Sequence, residues 1–349
     1  MNYDYKRHLI LSRTSTRVAL GFLDKLAADA ILFVVDKENK LIGSLTDGDV
    51  RRGLLKGLTI DDEVDLFLQK DPKKILKGNY DIYEIIQYRE NAYKVLPVVD
   101  ESNAILNIVN FRFLRSYLPI DAVIMAGGRG ERLRPLTDNT PKPLLPVAGK
   151  PIIKHNIDRL INFGIDDLWI SVRYLGEQIE SYLGDGSELG VKINYVTENA
   201  PLGTIGAMSL IDKFAHDYVL LTNSDILTNL DYENFFLDFI ASGADYSVAT
   251  IPYNVNVPYA ILETSDGCIS SFKEKPTYTY YANAGIYLMK KEICSLIPQG
   301  EFYDATDLLH HLITNNYKVI SYPLRGYWLD VGKHEDYKKA QDDINHLNF

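Results

Sequence analysis

The chain has 349 residues, 46% of them hydrophobic and 24% charged. That composition excludes a disordered, collagen-like or disulfide-scaffold protein and, at roughly 150 residues per domain, favours two domains. Thirty-seven basic residues against forty-seven acidic give a net charge of -10, which argues against non-specific binding to nucleic acid or membrane. The two cysteines, Cys268 and Cys294, have no metal-type spacing, so a zinc site is disfavoured and a reducing compartment favoured.

The opening residues carry no long apolar core of a secretory signal, and the longest apolar runs are of strand length. A cytoplasmic location is therefore expected. Helical stretches are predicted at 18–28 and 82–89. Each precedes a strand, turn, strand, helix pattern: Ile31–Asp36, 40–43, 44–49 and 50–54 in one copy, and Tyr93–Asp100, 104–108 and 111–114 in the other. The Val-Val-Asp runs ending these first strands stand 64 residues apart, a weak internal repeat. The pattern resembles a tandem pair of cystathionine-β-synthase-type (CBS) modules. That resemblance implies a compact α/β unit whose inter-repeat cleft takes an adenine nucleotide, with Thr46 and Asp49 holding its ribose. The matching positions of the second repeat are Asn110 and Phe113, so at most one site is intact. A helix cap made by Thr46, in a module used only for packing or oligomerisation, is the alternative.

Leu118-Pro119-Ile120 reads as a stiff boundary. Residues 1–118 carry 18 basic and 17 acidic residues, whereas 119–349 carry 19 and 30. Within that acidic half, residues 125–154 hold six basic residues against Glu131 and Asp138, the signature of an anion site or of a solvated basic face. The buried-type strand Ala122–Ala126 runs into Gly127-Gly128-Arg129-Gly130-Glu131-Arg132-Leu133-Arg134-Pro135. A Gly-rich turn after a strand offers backbone N–H groups to phosphate. The third glycine of the dinucleotide fingerprint is Leu133 here, and no Lys follows at P-loop spacing.

This stretch, continued by Pro141-Lys142-Pro143-Leu144-Leu145-Pro146-Val147 and Lys150-Pro151-Ile152, resembles the signature of sugar-1-phosphate nucleotidyltransferases. Further motifs follow in order. Tyr218–Asp225 and Tyr327–Gly332 each place a carboxylate, Asp225 and Asp330, at a strand end, where a metal ion is a good partner. Glu274-Lys275-Pro276 and Asn283-Ala284-Gly285-Ile286-Tyr287 resemble the family's sugar-side motifs, and Glu198–Ala207 its base-reading loop. Two departures are Glu131, where many members have Thr, and Ala260, where many have Gly.

The resemblance implies an α/β fold: a Rossmann-like, mixed-sheet nucleotidyltransferase domain (GT-A-like) over 119–349, preceded by the α/β CBS-pair domain over 1–118. It implies that Gly127, Gly128, Gly130 and Arg132 hold the pyrophosphate portion of an NTP, with Lys142 near the α-phosphate. Gly203 and Thr204 then face the base. Mg²⁺ would sit on Asp225 and Asp330. Lys275 would pin the sugar phosphate, and Glu274 and Asn283 would read sugar hydroxyls. Glu198 favours guanine, because a carboxylate only accepts and guanine presents two adjacent donors. The activity implied is attack of a sugar-1-phosphate on the α-phosphorus of GTP, giving GDP-glucosamine for a nonulosonic (legionaminic-type) acid route or GDP-mannose. A heptose-1-phosphate enzyme shares these motifs. A uridylyl- or cytidylyltransferase, or an inactive nucleotide-sensing protein, are the rival readings. A homo-oligomer is compatible with the whole. No hexapeptide repeat follows Asp330, and the chain is read as closing on a helix over 335–347.

Overall fold

A computed structural model describes residues 5–344. The chain divides into two compact units, one comprising Met1–Pro119, Leu160–Asp167 and Asp185–Lys192, the other Ile120–Arg159, Leu168–Gly184 and Ile193–Phe349. No helix among the described residues is long and apolar enough to cross a membrane.

The first unit holds two small sheets. One has the order β1 (Leu9–Leu11), β2 (Ile31–Val35), β3 (Leu41–Thr46), β4 (Gln69–Lys70). The other has the order β5 (Ile75–Leu76), β6 (Val95–Val99), β7 (Ile105–Asn110). Helix α1 (Thr16–Leu26) turns Ala19, Leu23 and Leu26 inward at helical spacing, and α2 (Asp47–Leu55) and α3 (Ile82–Glu90) follow. The repeat is visible as matched geometry. Asp36 Oδ1 accepts the N–H groups of Glu38 and Lys40, and Asp100 Oδ1 those of Ser102 and Ala104. Asn39 and Asn103, both at positive φ, then reach across to the other repeat. Asn39 Nδ2 donates to the Ile105 carbonyl and Asn103 Nδ2 to the Leu41 carbonyl, each at 2.7 Å. The copies differ at their ends. The helix expected over 111–114 is a single turn: Asn110 caps it, its side chain taking the Arg112 N–H and its carbonyl those of Phe113 and Leu114, but the turn is not continued, and Pro119 lies just beyond.

From Ile120 on, the elements in chain order are β8 (Ile120–Met125), the short hairpin β9 (Pro146–Val147) and β10 (Lys150–Pro151), α4 (Ile152–Asn162), β11 (Asp167–Val172), α5 (Gly176–Leu183) and β12 (Lys192–Thr197), all in the second unit but for the end of α4, Asp167 and Lys192. Next come β13 (Tyr218–Asn223), β14 (Ile226–Thr228), α6 (Tyr232–Ser242), β15 (Tyr246–Asn256), β16 (Ile261–Ser265), β17 (Cys268–Lys273) and β18 (Thr277–Lys290). It closes with α7 (Lys291–Cys294), α8 (Ala305–Thr314), β19 (Val319–Pro323), β20 (Trp328–Asp330) and α9 (His334–Asp343). The helix read over 335–347 is thus α9 as far as Asp343; its last residues fall outside those described.

Seven strands form a mixed sheet in the order β12-β11-β8-β13-β18-β15-β19. The run 218–223 is apolar throughout its middle because it is central, with β8 parallel on one side and β18 antiparallel on the other. Val123, Val219, Leu221, Met289, Leu308 and Leu312 share one core that seats α8. In the β8/β13 pairing Met125 stands opposite Asn223. The glycine-rich loop and the turn carrying Asp225 therefore leave the same carboxyl edge of the sheet, side by side, where ligands of open α/β sheets bind.

Candidate active site

The loop after β8 is fixed from both ends. Ala126 N–H donates to the Ser171 carbonyl (2.9 Å). Gly130 sits at φ +63, which glycine adopts without cost, and its carbonyl accepts from Leu133 N–H and Thr137 Oγ1, each at 2.9 Å. A Cβ on Gly130 would come within 3.0 Å of Lys142 Cβ and Thr137 Cγ2. Gly128 has open space over it, leaving its backbone approachable.

The charged side chains alternate with apolar anchors. Leu133, Leu145, Leu227, Leu329 and Val331 are all buried in one cluster. Arg132 is next to the first, Lys142 three before the second, Asp225 two before the third, and Asp330 lies between the last two. Burying the anchors thus aims four charged groups at one place. β14 pairs antiparallel with β20, Ile226 facing Asp330, and Val331 N–H donates to the Asp225 carbonyl (3.0 Å). Lys142, only 8% exposed, forms an ion pair with Asp225. Asp330 Oδ1 is buried with no hydrogen-bond partner. Burial, and then the Asp225 charge, push the Asp330 carboxyl above its ordinary range, with Lys142 and Arg132 opposing. Two adjacent carboxylates, one with an orphaned buried oxygen, form an oxygen donor set of the kind Mg²⁺ takes. Asp225 and Asp330 therefore fit the metal, and Lys142 offsets part of their charge.

These groups open onto a cleft of about 510 Å³ lined by Gly127, Gly128, Gly130, Arg132, Lys142 and Asp225. Glu198, Gly203 and Thr204 line it as well. Asp330 stands behind the wall at Gly332, where an added Cβ would lie 3.1 Å from Arg132 Nη2 and 3.5 Å from Asp330 Oδ1. Glu198 is 6% exposed. It accepts the Ser171 hydroxyl on Oε1 and the Leu202 N–H on Oε2 (3.3 Å). It lies so close to Gly127 that a Cβ there would be 2.5 Å from Oε1. Glu198 thus neither points to solvent nor caps a helix at Thr204. Gly203, at φ +79, packs on the Tyr303 carbonyl. Thr204 Oγ1 donates to Asp304 Oδ1 (3.0 Å) and accepts the Ala305 N–H (2.8 Å), so its hydroxyl is spent seating α8.

Other predicted residues lie elsewhere. Glu274 and Lys275 occupy an exposed turn between β17 and β18 and do not line the cleft. Asn283 does not line it either. Its Nδ2 donates to the Tyr287 hydroxyl (2.8 Å) and its Oδ1 accepts the Gly285 N–H (2.9 Å). Thr46 and Asp49 close a capping box on α2, and the other Asp49 oxygen pairs with Arg52, so both carboxylate oxygens are engaged locally. Arg173, by contrast, escapes the sequence reading yet lines the cleft, its Nε donating to the Gly127 carbonyl (3.2 Å). Its one signal is position, directly after the apolar strand Asp167–Val172.

Residues 121–346 match the nucleotidyl transferase family. The chain is 34% identical over 232 residues to a mannose-1-phosphate guanylyltransferase of Mycobacterium tuberculosis, a match covering 64% of each chain. It is 32% identical over 231 residues to a D-glycero-alpha-D-manno-heptose 1-phosphate guanylyltransferase of Aneurinibacillus thermoaerophilus, covering 65% of this chain and 99% of that one. The solved structure of a Bacillus anthracis protein, provisionally described as a glucose-1-phosphate thymidylyltransferase, in complex with a sucrose, superposes with a TM-score of 0.54. That match has 25% identity and covers 66% of this chain and 97% of that one.

Proposed function

Because this chain belongs to the nucleotidyl transferase family, we propose that it joins an NTP to a sugar-1-phosphate, releasing pyrophosphate and forming a nucleotide sugar, with GTP as the preferred donor. The observation that carries the reading is the grouping of Arg132, Lys142, Asp225 and Asp330 beside a glycine-lined cleft.

The nucleophile, a phosphate oxygen, is already anionic and needs no protein base. The protein's task is to hold two mutually repelling anions in line and to neutralise the charge that builds on the leaving group. The N–H groups of Gly127–Gly130 and the Arg132 guanidinium face the departing pyrophosphate, and Lys142 faces the α-phosphate. Asp225 and Asp330 would hold Mg²⁺, which when bound screens the nucleotide oxygens as a Lewis acid. Arg173 adds a cation on the Gly127 side. Glu198 favours guanine: its oxygens accept from Ser171 and Leu202 and, with about four lone-pair sites in a carboxylate, keep capacity for a base donor.

The acceptor sugar is the finer part of the proposal: a hexosamine-1-phosphate or mannose-1-phosphate giving GDP-glucosamine or GDP-mannose. A CBS-type role for the first unit, with an adenine nucleotide as its ligand, belongs to the same reading. Pyrophosphate release, screened over four NTPs and a panel of sugar-1-phosphates with and without AMP, tests it. Metal-dependent release with GTP and one sugar phosphate is expected. No release with any pair would overturn the proposal, and a clear preference for UTP or CTP would overturn the base assignment.

A further inference from the structure

We propose that the β-ribbon built from β15 to β18 is the surface on which a second copy of this chain docks. The strands are held in the sheet only at their inner ends: Tyr246–Thr250 pairs with β19, and Ile286–Lys290 with β13. Beyond that, residues 251–256 and 277–282 pair only with each other, in unbroken register from Thr250↔Asn283 to Asn256↔Thr277. β16 and β17 continue the ribbon as its tip.

Opposed residues of an antiparallel pair share a face. One face of the stem therefore carries Ile251, Tyr253 and Val255 opposite Ala282, Tyr280 and Tyr278. The reverse carries Pro252 opposite Tyr281 near the sheet and then Asn254 and Asn256, each hydrogen-bonded at 2.8 Å to the Thr279 or Thr277 hydroxyl. The tip has the same two-sidedness, Leu262 opposite Phe272 on one face and the Glu263–Ser271–Lys273 group on the other. Tyr253 and Tyr280 are 61% and 60% exposed, and Phe272 67%. A two-stranded ribbon is marginal alone, and one with a bare aromatic face is an association surface.

Three features select a second copy as the occupant. The stretches 246–262 and 276–289 contain no Asp, Glu, Lys or Arg, so two chains of net charge -10 can meet here without opposing like charges. Charge-depleted, Tyr-rich surface is what interface cores are made of, and a neutral face can be self-complementary, as a two-fold contact requires. At about 150–250 Å² per aromatic side chain, the exposed parts of Tyr253, Tyr280 and Phe272 amount to on the order of 400 Å², about half of the roughly 800 Å² per partner of a stable interface, with Leu262 and Val255 adding to it. Finally, residues 250–256 and 277–283 satisfy each other's backbone groups, so a second chain can cover the stem face without breaking that pairing.

Sedimentation velocity of the full chain across the micromolar range tests this. Wild type is expected to sediment as a concentration-dependent dimer. Tyr253→Asp with Tyr280→Asp is expected to weaken dimerisation by roughly a hundredfold or more, as loss of a buried aromatic anchor does. Asn254→Glu with Thr279→Lys, which places a charge pair on the reverse face, is expected to leave the dimer intact. Far-ultraviolet circular dichroism of both variants checks that the exposed changes leave the fold alone. A monomeric wild type, a Tyr pair that stays dimeric, or equal dissociation by both variants would each overturn the proposal.

Discussion

Lys142 and Asp225 neutralise each other inside the wall of the cleft, and Asp330 sits behind them with one oxygen unsatisfied. Arg132 and Lys142 are thereby the two cations best placed to meet charge that appears only during transfer. Removing a preorganised contact of that kind costs about two orders of magnitude in rate or more. Arg132→Ala and Lys142→Ala should each show that loss in steady-state pyrophosphate release, and near-wild-type turnover in both would contradict the assignment. Glu198 can be probed without changing shape. Glu198→Gln replaces one acceptor oxygen by a donor, leaving a guanine donor unmatched, and such a mismatch costs about 1–3 kcal/mol. The ratio of kcat/KM for GTP over UTP should fall about tenfold or more, and an unchanged ratio would remove Glu198 from base selection. The acceptor-only chemistry of Glu198 is legible in the sequence. Its grip by Ser171 and Leu202 is not, because those partners meet it only after β11, β12 and the following loop have packed.

The apolar anchors explain why a set scattered from 132 to 330 converges. Leu133, Leu227 and Val331 are each at most 1% exposed, and each follows a charged residue by one or two positions. Leu133→Ala should leave a cavity and cost about 2–5 kcal/mol. The Arg132 loop should loosen with it, so activity should fall further than the folded fraction does. Urea unfolding alongside single-turnover kinetics separates the two effects, and activity that merely tracks the folded fraction would deny the anchor a positioning role. At this level the sequence was readable where strand and loop are consecutive: the glycine loop after β8, and Asp225 after β13. It was unreadable where a motif's place depends on how far a hairpin continues. Glu274, Lys275 and Asn283 stand in family order, yet β15 and β18 run on together and carry Glu274 and Lys275 to an exposed turn. The short turn at 111–114 is a similar case, since Asn110 starts and caps one turn that the chain does not continue.

His8 is buried in the first unit, and His155, like His216, in the second; burial opposes the protonation of His8 and His155. Burial is the largest influence on both and holds each imidazole below the ordinary value of 6.5. Backbone carbonyls of Ile31 and Val147 partly oppose it through hydrogen bonds to the rings. The unfolded chain therefore binds protons at these rings more readily than the folded one. Stability from this source is complete above about pH 6.5 and is lost as the pH falls through the depressed folded values. A second loss follows at lower pH. The Asp158 carboxyl, where two lysine hydrogen bonds outweigh burial, and that of Asp245, held first by Lys290, both lie below their ordinary 3.8. Their contribution is present above that value and disappears as the pH drops through the folded one. The urea midpoint should thus fall in two stages, one below neutrality and one in the carboxylate range. His155→Gln keeps a donor for the Val147 carbonyl but cannot be protonated, so it should flatten the first stage and leave the second unchanged. A midpoint that does not move between pH 7.5 and pH 5, or a His155→Gln profile that overlays wild type, would show that neither ring is forced to charge on acidification.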